Sequence, residues 1–406
     1  MMAASGLRAA FGVYIKPMEA EFGWTRTALS GVAAVSLLLL GAVGPLVGRV
    51  ADRWGPRRVI IAAIAILAVG SVASAALHTL WQAYLTIGVL MAIGAGGVAM
   101  STGASLIARW FEARRGLVLG VVGAAMSGGQ LIVIPLATAL TLWFSWRTSF
   151  LVFGVAVLVL VLPVAMMFIR NAPEDLGVRP YGATGAAPAT GSAATLRAAA
   201  RVSVVEAARF PQFWLLMATF FVCGYTSSGL ILTHFMPHAL EHSFSEFQAS
   251  AALGVMGAMN IIGTISSGWL CDRFGRRGPL ASYYILRGLS LLYLLYVRDV
   301  PSLTLWAAIF GLNWISTVPP TTTLTANIFG RFSVGELSGW IFLAHQVGSA
   351  LGAALAGWLY EWTGSYNAAF ISAAFLAFAA TGMAMAIREE PVVAPAQAPA
   401  PAPVAS

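Results

Sequence analysis

Cationic side chains lie inside stretches of this sequence that are otherwise apolar. Arg8, Arg287 and His345 lie within such stretches, and His234 lies nearer the end of another. All fifteen carboxylates fall instead in loops, at helix ends or in the tail. An arginine in an apolar setting without a carboxylate partner needs an anion, a carbonyl or water. A negatively charged substrate would meet that need.

Each of the two arginines also has a structural interpretation. Arg8 either lines a solute path or extends its side chain toward water. Arg287 either holds a carboxylate with two parallel hydrogen bonds or bonds to helix carbonyls and to Asn313. Of the two, Arg8 is the favoured candidate for a binding group.

The histidines allow a role in proton coupling. His345 is either a proton-sensitive group of the solute path or a neutral histidine bonded between helices. His234 and His238 share a helix face at spacing i, i+4. An interfacial pair or a proton-responsive outer gate is favoured over a metal site, because no third ligand is evident.

Uncharged polar side chains near the middle of the apolar stretches are further candidates for contacting solute. The alternative role for each is to hold neighbouring helices together, and for an aromatic residue it is packing. These candidates are Tyr14, Gln130, Tyr225, Asn260, Asn313 and Gln346.

A short charged motif occurs twice, 220 residues apart, after the second and the eighth apolar stretch. Glycine at a helix end permits a tight turn. The carboxylate can pair with the arginines beside it or with the N-terminus of a neighbouring helix. The motif recurs at equivalent places in both halves, which disfavours a plain charged loop. Its residues are Gly48, Asp52, Arg53, Gly55 and Arg57 in the first copy, and Gly268, Asp272, Arg273, Gly275 and Arg276 in the second.

Composition makes lipid the solvent for most of the chain. Hydrophobic residues make up 59% of the 406 residues and charged residues only 9%, against roughly 25% charged in soluble domains. The net charge of +8 does not indicate nucleic-acid binding, because the basic residues lie in short clusters between apolar runs. No nucleophile–base pair, ATP-binding loop or metal-ligand cluster is evident. The sequence therefore predicts neither an enzyme nor a cofactor.

Twelve apolar segments are long enough to cross a bilayer core of about 30 Å as helices. They predict an all-α polytopic membrane protein with two pseudo-symmetric six-helix bundles at 1–170 and 210–388. A cytoplasmic linker is expected at 171–209, flexible through 180–196, and a disordered tail at 389–406. The first helix looks truncated, with the true start expected upstream. The segments lie at 5–22, 26–48, 58–78, 82–108, 116–142, 147–169, 211–238, 247–270, 278–297, 302–328, 337–360 and 366–387.

Arginine placement predicts the orientation in a plasma (inner) membrane. Loops on one side hold most of the arginines, and cytoplasmic loops are the ones enriched in basic residues. The linker and both termini are therefore expected in the cytoplasm. The opposite side holds only Lys16, Arg26, Arg147 and Arg298.

The repeated motif resembles the signature of the major facilitator superfamily, and the resemblance covers nearly the whole chain. It implies that Asp52 and Asp272 help to lock conformations while the two halves rock about a central site. A narrower resemblance is to the monocarboxylate transporters and the oxalate/formate antiporters. It is carried by Phe11–Tyr14, Phe22–Trp24, Arg109–Gly116, Ser127–Gln130 and Arg170–Gly177.

The chain departs from that narrower family at its start, where most of the first-helix signature is missing, and in the eighth helix. The family often carries an arginine in the eighth helix, where this chain has Thr264, and this chain instead has Arg287 in the ninth. The resemblance implies a secondary transporter that moves a small organic anion, a monocarboxylate, by alternating access with proton symport. Arg8 and Arg287 would match the negative charge of that anion. The rival predictions are a proton-driven exporter of drugs or other amphiphiles and a membrane receptor without transport.

Overall fold

The computed structural model describes residues 1–183 and 201–392, which fold as α-helices. Within these two ranges, nine helices are long and apolar enough to cross a membrane. The predicted all-α membrane fold is confirmed. Most of the stretch 180–196, predicted to be flexible, lies outside the described residues, as does 393–406 of the predicted tail. The boundaries of the two halves stay predictions.

Seven helices form the first half of the chain. They lie in the order that the apolar segments predict, and a short helical turn, Pro173–Leu176, follows them. The helices are α1 (Met2–Ala9), α2 (Phe11–Phe22), α3 (Arg26–Trp54), α4 (Pro56–Ser74), α5 (Leu80–Trp110), α6 (Arg115–Trp143) and α7 (Trp146–Phe168).

Seven further helices form the second half. A four-residue turn, Val204–Ala207, precedes them. The helices are α8 (Pro211–Glu241), α9 (Glu246–Phe274), α10 (Arg277–Leu294), α11 (Val300–Asn313), α12 (Val318–Phe329), α13 (Val334–Thr363) and α14 (Asn367–Ala386).

Three of the predicted spans are not continuous helices. The first is divided at Ala10 into α1 and α2, and the fourth, α5, is interrupted at Val98 and Ala99. The tenth is divided between Asn313 and Val318 into α11 and α12. Pro319 and Pro320 explain this last break, because proline has no N–H to donate and is accommodated best in the first turn of a helix. The prediction of one unbroken helix over 302–328 was wrong for this reason.

Wider π-helical turns interrupt three of the long helices. They lie at Tyr84–Met91 in α5, Val157–Val161 in α7 and Tyr225–Ile231 in α8. Such turns redirect side chains and occur often at functional sites.

The repeated motif lies mostly in helix, not in loop. Helix α3 continues to Trp54 and α9 to Phe274, beyond the predicted ends at 48 and 270. Each helix ends at a glycine with positive φ, Gly55 at 95° and Gly275 at 83°, a conformation open to glycine but rarely to other residues. The charged side chains of the motif therefore project from the last helical turns.

The two halves meet along seams of small residues. On one seam, a side chain on Gly48 or Gly339 of the α3–α13 pair would overlap backbone of the opposite helix. On the other, Gly116 of α6 faces Gly268 of α9 with the same consequence. Small residues allow helices to approach closely in a membrane, where packing drives their association.

The first residues of the predicted tail pack on the second half. The backbone N–H of Val392 donates to the carbonyl of Ile328 at 2.9 Å, and Glu389 accepts from the backbone N–H of Arg277 at 2.9 Å. The acidic side chain thus caps the start of α10, and the extent of the disordered tail stays a prediction.

Candidate functional site

A cavity of about 270 Å³ lies among the helices of the first half. Side chains from α1 to α5 and from α7 line it, including part of the π-helical turn of α5. Arg8 and Ser36 contribute the polar side chains and the remaining lining is apolar or glycine. The lining residues are Leu7, Arg8, Phe11, Gly12, Ile15, Ala33, Ser36, Leu37, Leu67, Ile87, Met91 and Phe150.

Arg8 is the charged group of this cavity. Its side chain is partly buried, and within residues 1–183 and 201–392 it has no hydrogen bond or ion pair to another residue. Arg8 lies in the last turn of α1, where the negative end of the helix dipole offsets a cation only weakly. The geometry therefore leaves a guanidinium directed to a cavity, with its donors available to a small anion.

Arg287 has the opposite environment. It is fully buried in α10, and its Nε donates to the Asn313 side-chain oxygen at 3.1 Å. One terminal nitrogen donates to the carbonyls of Asn313 and Trp314 at 2.5 and 2.7 Å, and the other to the Cys223 sulfur at 3.1 Å. These partners hold α8, α10 and the break after α11 together. We therefore leave Arg287 and Asn313 out of the proposed site.

Two of the predicted polar candidates, Tyr14 and Gln130, hold together helices that surround the cavity. Tyr14 is 1% exposed; its hydroxyl bonds to Ser149 at 2.9 Å, and its ring lies 4.3 Å from that of Phe150, a cavity residue. Gln130 of α6 donates to the hydroxyl of Ser5 at 2.9 Å and so ties α1 to α6. Gln130 therefore positions α1, which carries Arg8, and Tyr14 positions α2, which lines the cavity.

Asn260 and Tyr225 lie outside the cavity. Asn260 is 1% exposed and donates to the Ser127 hydroxyl of α6 at 2.8 Å, which links the two halves. Its side-chain oxygen accepts from the backbone N–H of Ile315 at 3.0 Å, at the break after α11. Tyr225 is buried in the apolar core of the second half. The two hydrogen bonds of Asn260 and the burial of Tyr225 hold neighbouring helices together.

The two candidate proton carriers lie in different settings. His345 of α13 is partly buried, bonded to the side-chain oxygen of Gln346 at 3.1 Å and stacked 5.6 Å from Phe342. Gln346 packs against Gly41 of α3, so this segment faces the opposite half. His234 of α8 stays within the second half, bonded to the carbonyl of Ala353 at 2.9 Å.

The switch carboxylate of the first half binds the start of a helix in the second half. Asp52 accepts from the backbone N–H groups of Gly335 at 3.2 Å and Glu336 at 2.8 Å, in the first turn of α13. The Ser105 hydroxyl donates to it at 2.7 Å, and a guanidinium nitrogen of Arg109 lies 3.8 Å away. Asp52 is therefore a negative cap on a positive helix end.

The second copy makes the reciprocal contact. Asp272 of α9 accepts from the backbone N–H of Gly116 at 2.9 Å and of Leu117 at 2.8 Å, in the first turn of α6. Across the same face, Arg49 bonds to Glu336 at 2.8 Å. Each half thus caps one helix of the other at the arginine-rich face of the protein.

The remaining arginines of the motif stay within their own halves. Arg53 is exposed, and Arg57 donates to the Met166 carbonyl at 3.0 Å. Arg273 lies over the rings of Trp269 and Phe274 at 5.8 and 5.6 Å. Arg276 lies 3.7 Å from the Glu389 carboxylate. These residues shape each helix end and do not join the halves.

Sequence reasoning missed several residues of this face. Arg331 bonds to Glu174 at 2.8 Å and so joins α12 and α13 to the start of the linker. Arg115 donates to Asn327 of the opposite half at 3.2 Å. These residues sit in loops or helix ends where charge is ordinary, so no local signal distinguishes them. The pairing depends on the seam between the halves.

Comparison with known proteins identifies the family. A sequence profile described as the Major Facilitator Superfamily (MFS) matches residues 1–353. The chain belongs to the Major Facilitator Superfamily. This MFS protein is a transporter and not an enzyme, as the sequence predicts.

Curated relatives extend along most of this MFS transporter. Monocarboxylate transporter 12 of Mus musculus is 27% identical over 309 residues, which are 72% of this chain and 63% of the mouse protein. This chain therefore covers less than two thirds of that relative's length. The uncharacterized MFS-type transporter YcxA of Bacillus subtilis is 26% identical over 381 residues, 89% of this chain and 86% of that one. The predicted resemblance to monocarboxylate transporters is confirmed.

Solved structures of other MFS proteins share the fold. The proton:xylose symporter XylE superposes with a TM-score of 0.71 at 16% identity, covering 96% of this chain and 94% of XylE. The human organic anion transporter MFSD10 superposes with a TM-score of 0.70 at 18% identity, covering 94% and 97%. At these identities the likeness concerns the fold alone.

Proposed function

We propose that this MFS transporter moves small organic anions, chiefly monocarboxylates, across the membrane by alternating access. One observation carries the proposal. Arg8 is directed to a cavity and has no hydrogen bond or ion pair to another described residue. A substrate carboxylate would complete its hydrogen bonds.

The energetics favour an anionic occupant. A guanidinium is costly in an apolar setting unless it is paired, and the lining offers only Ser36 as a second polar side chain. Hydrogen bonds to charged groups contribute about 1.5–3 kcal/mol each, and a carboxylate can accept two from one guanidinium. A neutral solute of equal size should bind to the same site much more weakly than a carboxylate.

The size of the cavity and the names of the relatives support the same solute class. Its volume of about 270 Å³ lies below the roughly 300–1,000 Å³ of pockets that bind drug-sized molecules, which weighs against the exporter. The mouse relative bears the name of a monocarboxylate transporter, in agreement with an acid as solute.

We infer that the arginine-rich face is cytoplasmic and that the protein resides in the plasma (inner) membrane with both termini inside, because basic residues concentrate on the inner side of membranes. Coupling is proton symport. The proton travels on His345 or on the substrate acid itself. His345 is favoured over His234 because its segment packs against the opposite half and therefore moves when the halves rock.

Uptake into proteoliposomes tests the proposal. Purified protein is reconstituted, and entry of labelled butyrate is measured with and without an inward proton gradient. We expect saturable uptake that the gradient accelerates. Arg8→Ala should raise KM by about tenfold or more, the equivalent of losing one charge-assisted bond, and Arg8→Lys should retain part of the affinity. Arg58→Ala, which removes an exposed arginine, is the matched control.

Three results would count against the proposal. Normal butyrate uptake by Arg8→Ala would remove Arg8 from the site. Saturable butyrate binding without flux would indicate a receptor. Failure of butyrate and other monocarboxylates to enter, together with resistance of expressing cells to amphiphilic drugs, would favour the exporter.

A further inference from the structure

Gly12 has no packing reason to be a glycine. A Cβ built at Gly12 would meet no atom within 4 Å, whereas one at Gly6 or Gly31 in the same half would collide with Val133 or Tyr84. Gly12 lines the cavity that Arg8 enters. Gly12 is also exposed, so a side chain there would enter the open space at the cavity lining and would meet no neighbouring helix.

The lining around that volume is apolar. Phe11, Ile15, Ile87 and Met91 line the cavity together with Gly12. Room of about 270 Å³ corresponds to roughly nine water-sized groups at about 30 Å³ each. A carboxylate on Arg8 occupies about three of these, which leaves space for about six carbon atoms against apolar side chains.

The charge balance limits the occupant to one negative group. Arg8 is the cation among the lining residues. A second carboxylate on the same solute would be buried against hydrocarbon without a partner, which is strongly unfavourable. Short dicarboxylates are therefore poor ligands of this cavity, and a hydrocarbon body is a good one.

We propose that Gly12 determines solute size in this transporter, by leaving beside the Arg8 anion site an apolar space that takes the hydrocarbon body of a singly charged acid of about four to seven carbon atoms. This inference rests on the proposed function, since it assumes that Arg8 binds the carboxylate. Beyond that function, it identifies the hydrocarbon body as the part of the solute that the protein distinguishes, and Gly12 as the residue that distinguishes it.

A chain-length series measures the effect. Unlabelled propionate, butyrate, hexanoate and octanoate compete with labelled butyrate for uptake into proteoliposomes, and succinate serves as the doubly charged probe. In the wild type, affinity should rise about fourfold per methylene from propionate to hexanoate, as expected for burial of hydrocarbon. Octanoate should gain nothing more, and succinate should compete at least tenfold more weakly than butyrate.

Substitution of Gly12 tests the assignment directly. Gly12→Val fills the space of about three carbon atoms, so the optimum should shift to propionate and hexanoate should lose at least tenfold in affinity. Gly12→Ala should shift the optimum by about one methylene and serves if the valine variant does not fold. Gly382→Val is the matched control, because a Cβ there also meets nothing within 4 Å and Gly382 is exposed on α14, away from the cavity.

The possible outcomes distinguish failure of the Gly12 assignment from failure of the proposed monocarboxylate transport. A flat chain-length series, or the same series in Gly12→Val and the wild type, would overturn the role of Gly12 while Arg8-dependent uptake still stood. Absence of butyrate uptake in the wild type, or normal uptake by Arg8→Ala, would overturn both. A shift in Gly382→Val equal to that in Gly12→Val would show that added bulk acts through the whole bundle, and would also overturn the inference.

Discussion

Neutralising the two switch carboxylates should open the arginine-rich face to different extents. Asp52→Asn and Asp272→Asn each keep the side-chain shape and remove the charge. Asp52 accepts from two backbone amides and a serine hydroxyl and lies 3.8 Å from a guanidinium nitrogen of Arg109. Among the described residues, the hydrogen bonds of Asp272 are to two backbone amides. Loss of charge should therefore matter more at Asp52.

The magnitude follows from the bonds that weaken. A hydrogen bond to a charged group contributes about 1.5–3 kcal/mol, against about 0.5–1.5 kcal/mol between neutral groups, and the helix dipole adds about 0.3–1 kcal/mol. Asp272→Asn should cost the closed contact about 2 kcal/mol, a shift of roughly 30-fold in the equilibrium between closed and open faces. Asp52→Asn should cost about 3 kcal/mol or more.

Distance measurements between spin labels placed on α3 and α13 at this face would report the populations. The control is Asp299→Asn. Asp299 also caps a helix, accepting from the backbone N–H of Ser302 at 2.8 Å, but that helix follows it directly in the same half. Asp299→Asn should leave the label distances unchanged. Equal populations in wild type, Asp52→Asn and Asp272→Asn would refute the reasoning, because the carboxylates would then contribute nothing to closure.

Two further predictions concern stability. Arg287→Met should lower the stability of the purified protein by about 3 kcal/mol or more, because the carbonyls of Asn313 and Trp314 lose buried donors. Thermal unfolding in detergent measures this, with the exposed Arg298→Met as control, and an unchanged unfolding temperature with lost butyrate affinity would return Arg287 to the binding site. Glu21 bonds to Arg147 and, at 2.7 Å, to the indole nitrogen of Trp146, and the bond from Arg147 lowers the pKa of this carboxyl below its ordinary value of 4.5. A carboxyl with a lowered pKa stabilises the folded state above its ordinary pKa and loses that contribution as the pH falls through the lowered value. Unfolding temperatures of the wild type and Glu21→Gln should therefore differ at pH 7 and converge below about pH 4.5; a constant difference across that range would contradict the assignment.

Composition and residue pattern alone predict the class of protein and its internal repeat. An apolar content of 59% with 9% charged residues leaves a helical membrane fold as the solution, because backbone polar groups in lipid must be satisfied within each span. The motif recurring after 220 residues revealed the two halves. Arg8 stood out for the same local reason, since a lone cation in an apolar segment is visible without knowledge of its neighbours.

Only the tertiary structure separated Arg8 from Arg287. Both residues look alike in the sequence, but whether a buried donor is satisfied depends on groups far along the chain. Arg287 meets Cys223 and Thr226, more than 60 residues away, whereas Arg8 meets a cavity. In the same way, the partners of Asp52 lie up to 284 residues away on the opposite half, and the cavity at Gly12 is lined by residues from six helices. The sequence around an arginine shows that burying its charge is costly. Which side chains, carbonyls or solutes offset that cost depends on how the helices pack.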